Sequence, residues 1–252
     1  MEVSGPDAIP KAMALYGQDL AYIQVAGFGG LARGAAPEFV RLLQSAAIPI
    51  RSVVDAGCGA GILAAALVEA GFSVTGIDNS ADLLTIARAA VPQARFVNGS
   101  IYEVEIPGCQ AIVAAGEPLT YHDEPAEADR LVQSFFERAS AILPSSGVLI
   151  FDVIETGEPS LSGRFWSSGD DWAVLAETSE DQAARTLVRT IETFRRVSDL
   201  YRRGREIHRV RLFESRALID QLTGFGFAVR TAQAYGAHPL APRRRAFFCT
   251  RR

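Results

Sequence analysis

Asp55-Ala56-Gly57-Cys58-Gly59-Ala60-Gly61 follows directly on the apolar run Ser52-Val53-Val54 and leads straight into the helical stretch Ile62-Leu63-Ala64-Ala65-Ala66. Glycines at alternate positions let the backbone turn sharply and leave no Cβ between a ligand and main-chain atoms. The helix behind such a turn presents its partly positive amino end, which favours a nearby carboxylate or phosphate. The next strand, Phe72 to Asp78, ends in an acid that can accept hydrogen bonds from both ribose hydroxyls of a nucleoside.

Two details narrow the ligand. A dinucleotide fingerprint wants Gly or Ala three residues after its second glycine, for close packing of helix on strand. Ile62 stands there. Asp55 would repel a pyrophosphate, but it suits the α-ammonium of a methionine-derived donor that carries an amine and a sulfonium and no phosphate. Both details argue against a nicotinamide dinucleotide.

Outward from this turn, short apolar runs alternate with helices. Ser52–Gly57, Phe72–Asp78, Ala94–Gly99, Gln110–Gly116 and Gly147–Glu155 read as strands. Between them, Ile62–Ala70, Ala81–Ala90 and Ala128–Leu143 read as helices, the first ended by Gly71 and the second by Pro92. Such alternation builds a parallel sheet with helices on both faces, joined by right-handed crossovers. Residues 172–213 change rhythm: Trp172–Asp181, Ala184–Val197 and Arg205–Phe213 hold period-two stretches and read as an antiparallel meander. Trp166 and Trp172 are expected to flank a loop, Ser167 to Asp170. A helix over Glu214–Phe227 and strands Ala228–Tyr235 and Ala246–Thr250 close the pattern.

Ahead of the alternation, Lys11–Ala26 reads as a helix with Leu15, Tyr22 and Ile23 on one face, then a flexible joint Gly27-Phe28-Gly29-Gly30. A second helix is expected to begin at Pro37, whose fixed φ suits a first helical position. The expected organisation is an N-terminal helical cap over residues 1–46 and an α/β domain over 47–252, with a β insertion at about 165–213.

Composition sets the outer bounds. The 252 residues are 48% hydrophobic and 21% charged, enough for one large core. A net charge of -4 gives no general attraction to nucleic acid or anionic lipid. Cys58, Cys109 and Cys249 are far apart, with no CxxC pair, so neither a disulfide framework nor a metal site is expected. Without a signal-like start or an apolar run long enough to span a bilayer, a cytoplasmic enzyme is expected.

The ordered series DAGCGAG, GIDNS, PQARFVNGSI and AIVAAGEP resembles class I methyltransferases that use S-adenosylmethionine (SAM), over about residues 50–155. The resemblance implies a Rossmann-like, mostly parallel sheet of seven strands, the last antiparallel. By position it places Asp55, Gly57, Gly59 and Gly61 around the methionine half of SAM, with Cys58 and Gly116 among the cofactor-binding residues. It places Asp78 on the ribose, and Asn79, Ser100 and Ile101 beside the adenine. Ser100 departs from the pattern, since many family members have an acid there. Tyr16, Tyr22 and Arg33 of the cap are further candidates, for the methionine carboxylate.

A helical cap together with a sheet insertion resembles the small-molecule methyltransferases, including those acting on amino sugars and on glycine. Methyl transfer from a sulfonium is an in-line displacement, so alignment supplies much of the catalysis, and a base is needed only if the acceptor must lose a proton. Candidates for that work are His122, Glu117 and Tyr121 after the fourth strand, and His208 on the meander, which shares a face with Glu206 and Val210. The expected partner is a small-molecule acceptor, methylated at nitrogen or oxygen, with no nucleic acid or membrane and with a homodimer left open. The Asn/Asp-Pro-Pro-aromatic run of amino-directed DNA methyltransferases is absent, and the arginines of 185–211 and of the C-terminus read as solvated strand faces. A nicotinamide-dependent oxidoreductase and a SAM-binding regulatory protein without turnover stand as the alternatives.

Overall fold

A computed structural model describes residues 15–122 and 125–252. Two helices come first, α1 (Gln18–Gly27) and α2 (Gly30–Gln44). The alternation then runs β1 (Ser52–Ala56), α3 (Ile62–Glu69), β2 (Ser73–Asp78), α4 (Ala81–Ala90), β3 (Arg95–Asn98) and β4 (Ala111–Ala114). A 3-10 turn (Pro118–Thr120), α5 (Pro125–Ile142) and β5 (Val148–Ile154) follow. Next come four strands, β6 (Gly163–Ser168), β7 (Trp172–Asp181), β8 (Thr186–Val197) and β9 (Leu200–Arg211). The chain closes with α6 (Ser215–Gly224), β10 (Phe227–Ala232), the two-residue strands β11 (Ala234–Tyr235) and β12 (His238–Pro239), and β13 (Arg244–Arg251).

The main sheet has seven strands in the order β10-β13-β5-β4-β1-β2-β3, and only β13 runs against its neighbours. This is the Rossmann-like sheet that the resemblance implies. Its central strands are buried at nearly every position, as Val53, Val54, Ile112, Val113, Leu149 and Phe151 require of strands covered on both faces. One face packs on α5 and α6 through Phe135, Phe136 and Leu222, and the other on α2 and α3 through Phe39, Leu43 and Leu67. The chain leaves β1 for β2 on one side and crosses to β4 on the other. The strand order therefore reverses between β1 and β4, and a crevice opens at their carboxyl ends.

The second sheet, β6-β7-β8-β9, is antiparallel and meets the loop after β4 through a bridge between Tyr121 and Val210. It is fastened to α1. Ile23 packs on Trp172 and Val174, the Tyr22 hydroxyl donates to Asp171 (2.8 Å), and Arg195 and Arg202 pair with Asp19.

Several expectations need correction. The first helix starts at Gln18, because Tyr16 sits at φ 56 and Glu206 takes the N–H groups of Tyr16 and Gly17; residues 11–14 of the expected helix lie outside the described residues. The second helix begins at Gly30, so Pro37 is an interior residue and leaves the Arg33 carbonyl without its helical donor. Ser167 and Ser168 belong to strand β6, which reading by hydrophobic pattern missed because nearly all of it is exposed; the turn itself is Gly169–Asp171. Trp172 is buried against Gly27 and Gly169, whereas Trp166 is 73% exposed and lies outside the lining of the crevice cavity. Finally, Arg211 and Arg243 are buried in ion pairs with Asp129 and Glu180, so the arginine-rich strands are not simply solvated.

Candidate functional site

The crevice holds a cavity of about 650 Å3, within the range of small-molecule sites. Its floor is the glycine-rich turn. Gly57 and Cys58 donate their N–H groups to the Ile77 carbonyl (2.7 and 3.1 Å), which hangs the turn on the end of β2. Gly57 has φ 77, and a Cβ there would lie 2.3 Å from the Pro118 side chain, so only glycine lets the loop after β4 close on the turn. Gly59 also has positive φ, and a Cβ on it would meet nothing within 4 Å: its backbone faces open space.

Asp55 and Asp78 occupy the ends of β1 and β2 and line this cavity. The Asp78 carboxylate accepts from Gly59 N and Ser80 N, both at 2.8 Å, so it clips the turn to the start of α4 while keeping lone pairs for a ligand. Asp55 is different. It is 2% exposed, and its Oδ2 has no hydrogen-bond partner. Burial and the charge of Asp78 push its carboxyl up to about 7. An orphaned carboxylate oxygen on a buried residue that lines a cavity calls for a cation or a donor from a ligand.

Of the other expected cofactor residues, Cys58, Asn79, Ser100, Ile101 and Gly116 line the cavity. Burial raises the Cys58 thiol well above its ordinary value, which makes it a packing group rather than a nucleophile. Gly61, at φ 78, caps α3 just behind the lining. Tyr22 and Arg33 do not line the cavity: the first points to Asp171 and the second lies back over Gly29.

The far wall is built by the loop after β4. Asp152, on β5 and fully buried, accepts from Gly116 N (2.8 Å), Glu117 N (3.0 Å) and the Tyr235 hydroxyl (2.8 Å). These bonds hold Glu117 at φ 65, with its side chain buried behind the wall. Its carboxylate pairs with Arg189 of β8 and Arg244 of β13. Burial alone would raise it, but the two guanidiniums prevail and hold it at about 2. A carboxylate so firmly ionised is no proton acceptor near neutral pH.

Tyr121 and His122 do line the cavity. The Tyr121 hydroxyl meets Glu117 Oε1 (3.1 Å), Arg189 Nη1 (3.3 Å) and the Tyr16 hydroxyl (3.1 Å). His122 stacks on Tyr102, with Nε2 3.0 Å from the Leu119 carbonyl. His208 is buried beside Tyr16 and Tyr121, with Nε2 2.8 Å from Glu206, and lies behind the lining rather than in it. Sequence reading passed over Tyr102, Arg189 and Arg244 as site residues, and Asp152 as the loop's anchor. Only Asp152, at the end of an apolar strand, left a sequence signal.

Residues 53–140 match the family model described as a methyltransferase domain. That match shows a methyltransferase domain over those residues, and the sheet topology and crevice agree with a SAM-dependent methyltransferase. A provisionally named methyltransferase of Geobacillus sp. (strain WCH70) is 27% identical over 80% of this chain and 85% of its own length. A ubiquinone biosynthesis O-methyltransferase of Hydrogenovibrio crunogenus is 51% identical over 51 residues, 20% of each chain. The sugar N-methyltransferase KedS8 from Streptoalloteichus sp ATCC 53650 shares the fold at TM-score 0.77, with 18% identity over 100% of this chain and 99% of its own.

Proposed function

We propose that the cavity holds SAM along the glycine-rich turn and passes its methyl group to nitrogen or oxygen of a small-molecule acceptor. In this reading Asp55 receives the α-ammonium, Asp78 receives the ribose hydroxyls, and Asn79, Ser100 and Ile101 border the adenine. The observation that carries it is the unpartnered Oδ2 of Asp55, a buried residue that lines the cavity together with Gly59. A phosphate would be repelled there, and an ammonium completes the site.

Bound SAM supplies an electrophilic methyl on a sulfonium. The protein's own part is to bind, align and exclude water. Helices before residue 47 act as a cap and the meander as a roof, with Tyr16, Tyr121 and His122 around the acceptor. Because Glu117 is held charged by two arginines, it serves as a structural anion rather than a base. The names of the relatives, a sugar N-methyltransferase and a ubiquinone biosynthesis O-methyltransferase, accord with a small acceptor. No described helix is long and apolar enough to cross a membrane, and we place the enzyme in the cytoplasm. Isothermal titration of the protein with SAM and with S-adenosylhomocysteine tests the reading. Heat with both is expected; no heat with either overturns it.

A further inference from the structure

The hydroxyl pair at the far wall has a direction that its neighbours dictate. Tyr121 has one proton to give and two lone pairs. Glu117, held as a carboxylate, can only accept, and it lies 3.1 Å from the Tyr121 oxygen. Arg189 can only donate, and its Nη1 lies 3.3 Å from the same oxygen. Glu117 therefore takes the Tyr121 proton and Arg189 fills one lone pair. The remaining partner, the Tyr16 hydroxyl at 3.1 Å, is left to donate into the other.

Tyr16 then has no proton left for anything in the cavity it lines. Its oxygen meets a ligand only as an acceptor. Burial raises both tyrosines above their ordinary values, so both hydroxyls stay protonated at neutral pH and the direction holds.

We propose that Arg189, carried by the meander, is a positioning residue for methyl transfer: with Glu117 it fixes the hydroxyl chain so that Tyr16 accepts a hydrogen from the methyl acceptor. This rests on the proposed function and deepens it. The pocket selects nucleophiles that bear a hydrogen, an amine N–H or a hydroxyl O–H, over aprotic ones such as tertiary amines and thioethers. A hydrogen donated to Tyr16 also turns the lone pair of the acceptor away from the wall and toward the cavity.

Joint neutron and X-ray crystallography of the deuterated protein with S-adenosylhomocysteine reads the direction without knowledge of the acceptor. The expected density places the Tyr16 deuteron toward Tyr121 and the Tyr121 deuteron toward Glu117. A Tyr121 deuteron pointing at Tyr16 overturns the proposal, and with S-adenosylhomocysteine in place it does so without touching the cofactor reading. The role of Arg189 is read by fluorine NMR of 3-fluorotyrosine at position 16. Arg189→Leu should move that resonance and Arg189→Lys should restore it, while S-adenosylhomocysteine affinity stays at the wild-type value. A resonance unmoved by Arg189→Leu contradicts the positioning role.

Discussion

Asp55 and Glu117 are two fully buried carboxyls at the ends of adjacent strands, and their environments drive them in opposite directions. Asp55 has only Asp78 for charged company, and burial pushes it up to about 7. Glu117 has two arginines, and they hold it at about 2. Burial is common to both, so the partner decides. A buried charge completed within the chain is architecture; one left incomplete is a place for a ligand. The first lies at the glycine-rich turn proposed to hold SAM, and the second fixes the wall opposite.

Removing each acid should therefore have contrary effects. Glu117→Ala strands Arg189 and leaves Arg244 only Asp152 as a partner, and should cost about 3–5 kcal/mol of folding stability, read by urea unfolding. Asp55→Asn should leave the ligand-free protein as stable or more so. If both substitutions destabilise equally, the contrast is false.

Ligand binding reverses the ranking. Asp78→Ala should weaken SAM binding by about 1–3 kcal/mol in titration calorimetry, the cost of unsatisfied polar partners. Unchanged affinity would misplace the ribose.

The pH dependence separates the two acids further. The folded value of Asp55 lies above its unfolded one, so its effect on the ligand-free protein is a stability present at low pH that is lost as pH rises through about 7. Glu117 has a folded value below its unfolded one, so its contribution is present above the ordinary carboxylate range and is lost as pH falls toward about 2. An ammonium selects ionised Asp55. SAM affinity should accordingly rise as pH passes through about 7 in the wild type and stay flat in Asp55→Asn. Parallel profiles would break the assignment.

A further expected effect is local. Gly57→Ala sets a Cβ against Pro118 at positive φ and should cost roughly 1–3 kcal/mol in thermal unfolding, with a loss of SAM affinity. Tolerance at wild-type affinity would show that the loop after β4 need not close on the turn.

The same contrast explains what was legible in the sequence. The Asp55 side of the crevice is a local device: strand, glycine turn, helix, strand and acid lie within about 25 residues, so their order names the chemistry. The Glu117 side is assembled from afar. Arg189 and Arg244 stand 72 and 127 residues from the acid they neutralise, and neither carries a motif. Alternation on the meander put His208, Glu206 and Val210 on one face, but whether that face met water depended on Tyr16 and Gly17 crossing over Glu206. Strand β6 stayed hidden because an exposed edge strand needs no hydrophobic period. Pro37 read as a helix start by a sound local rule, and the packing of Ala35, Ala36, Phe39 and Leu43 overrode it.

A crystal structure with SAM bound puts the central claim to its most direct test. The account predicts the α-ammonium nitrogen within hydrogen-bond distance of Asp55 Oδ2 and the ribose hydroxyls on Asp78. A donor lying with its carboxylate toward Asp55, or with its ribose away from Asp78, would contradict it.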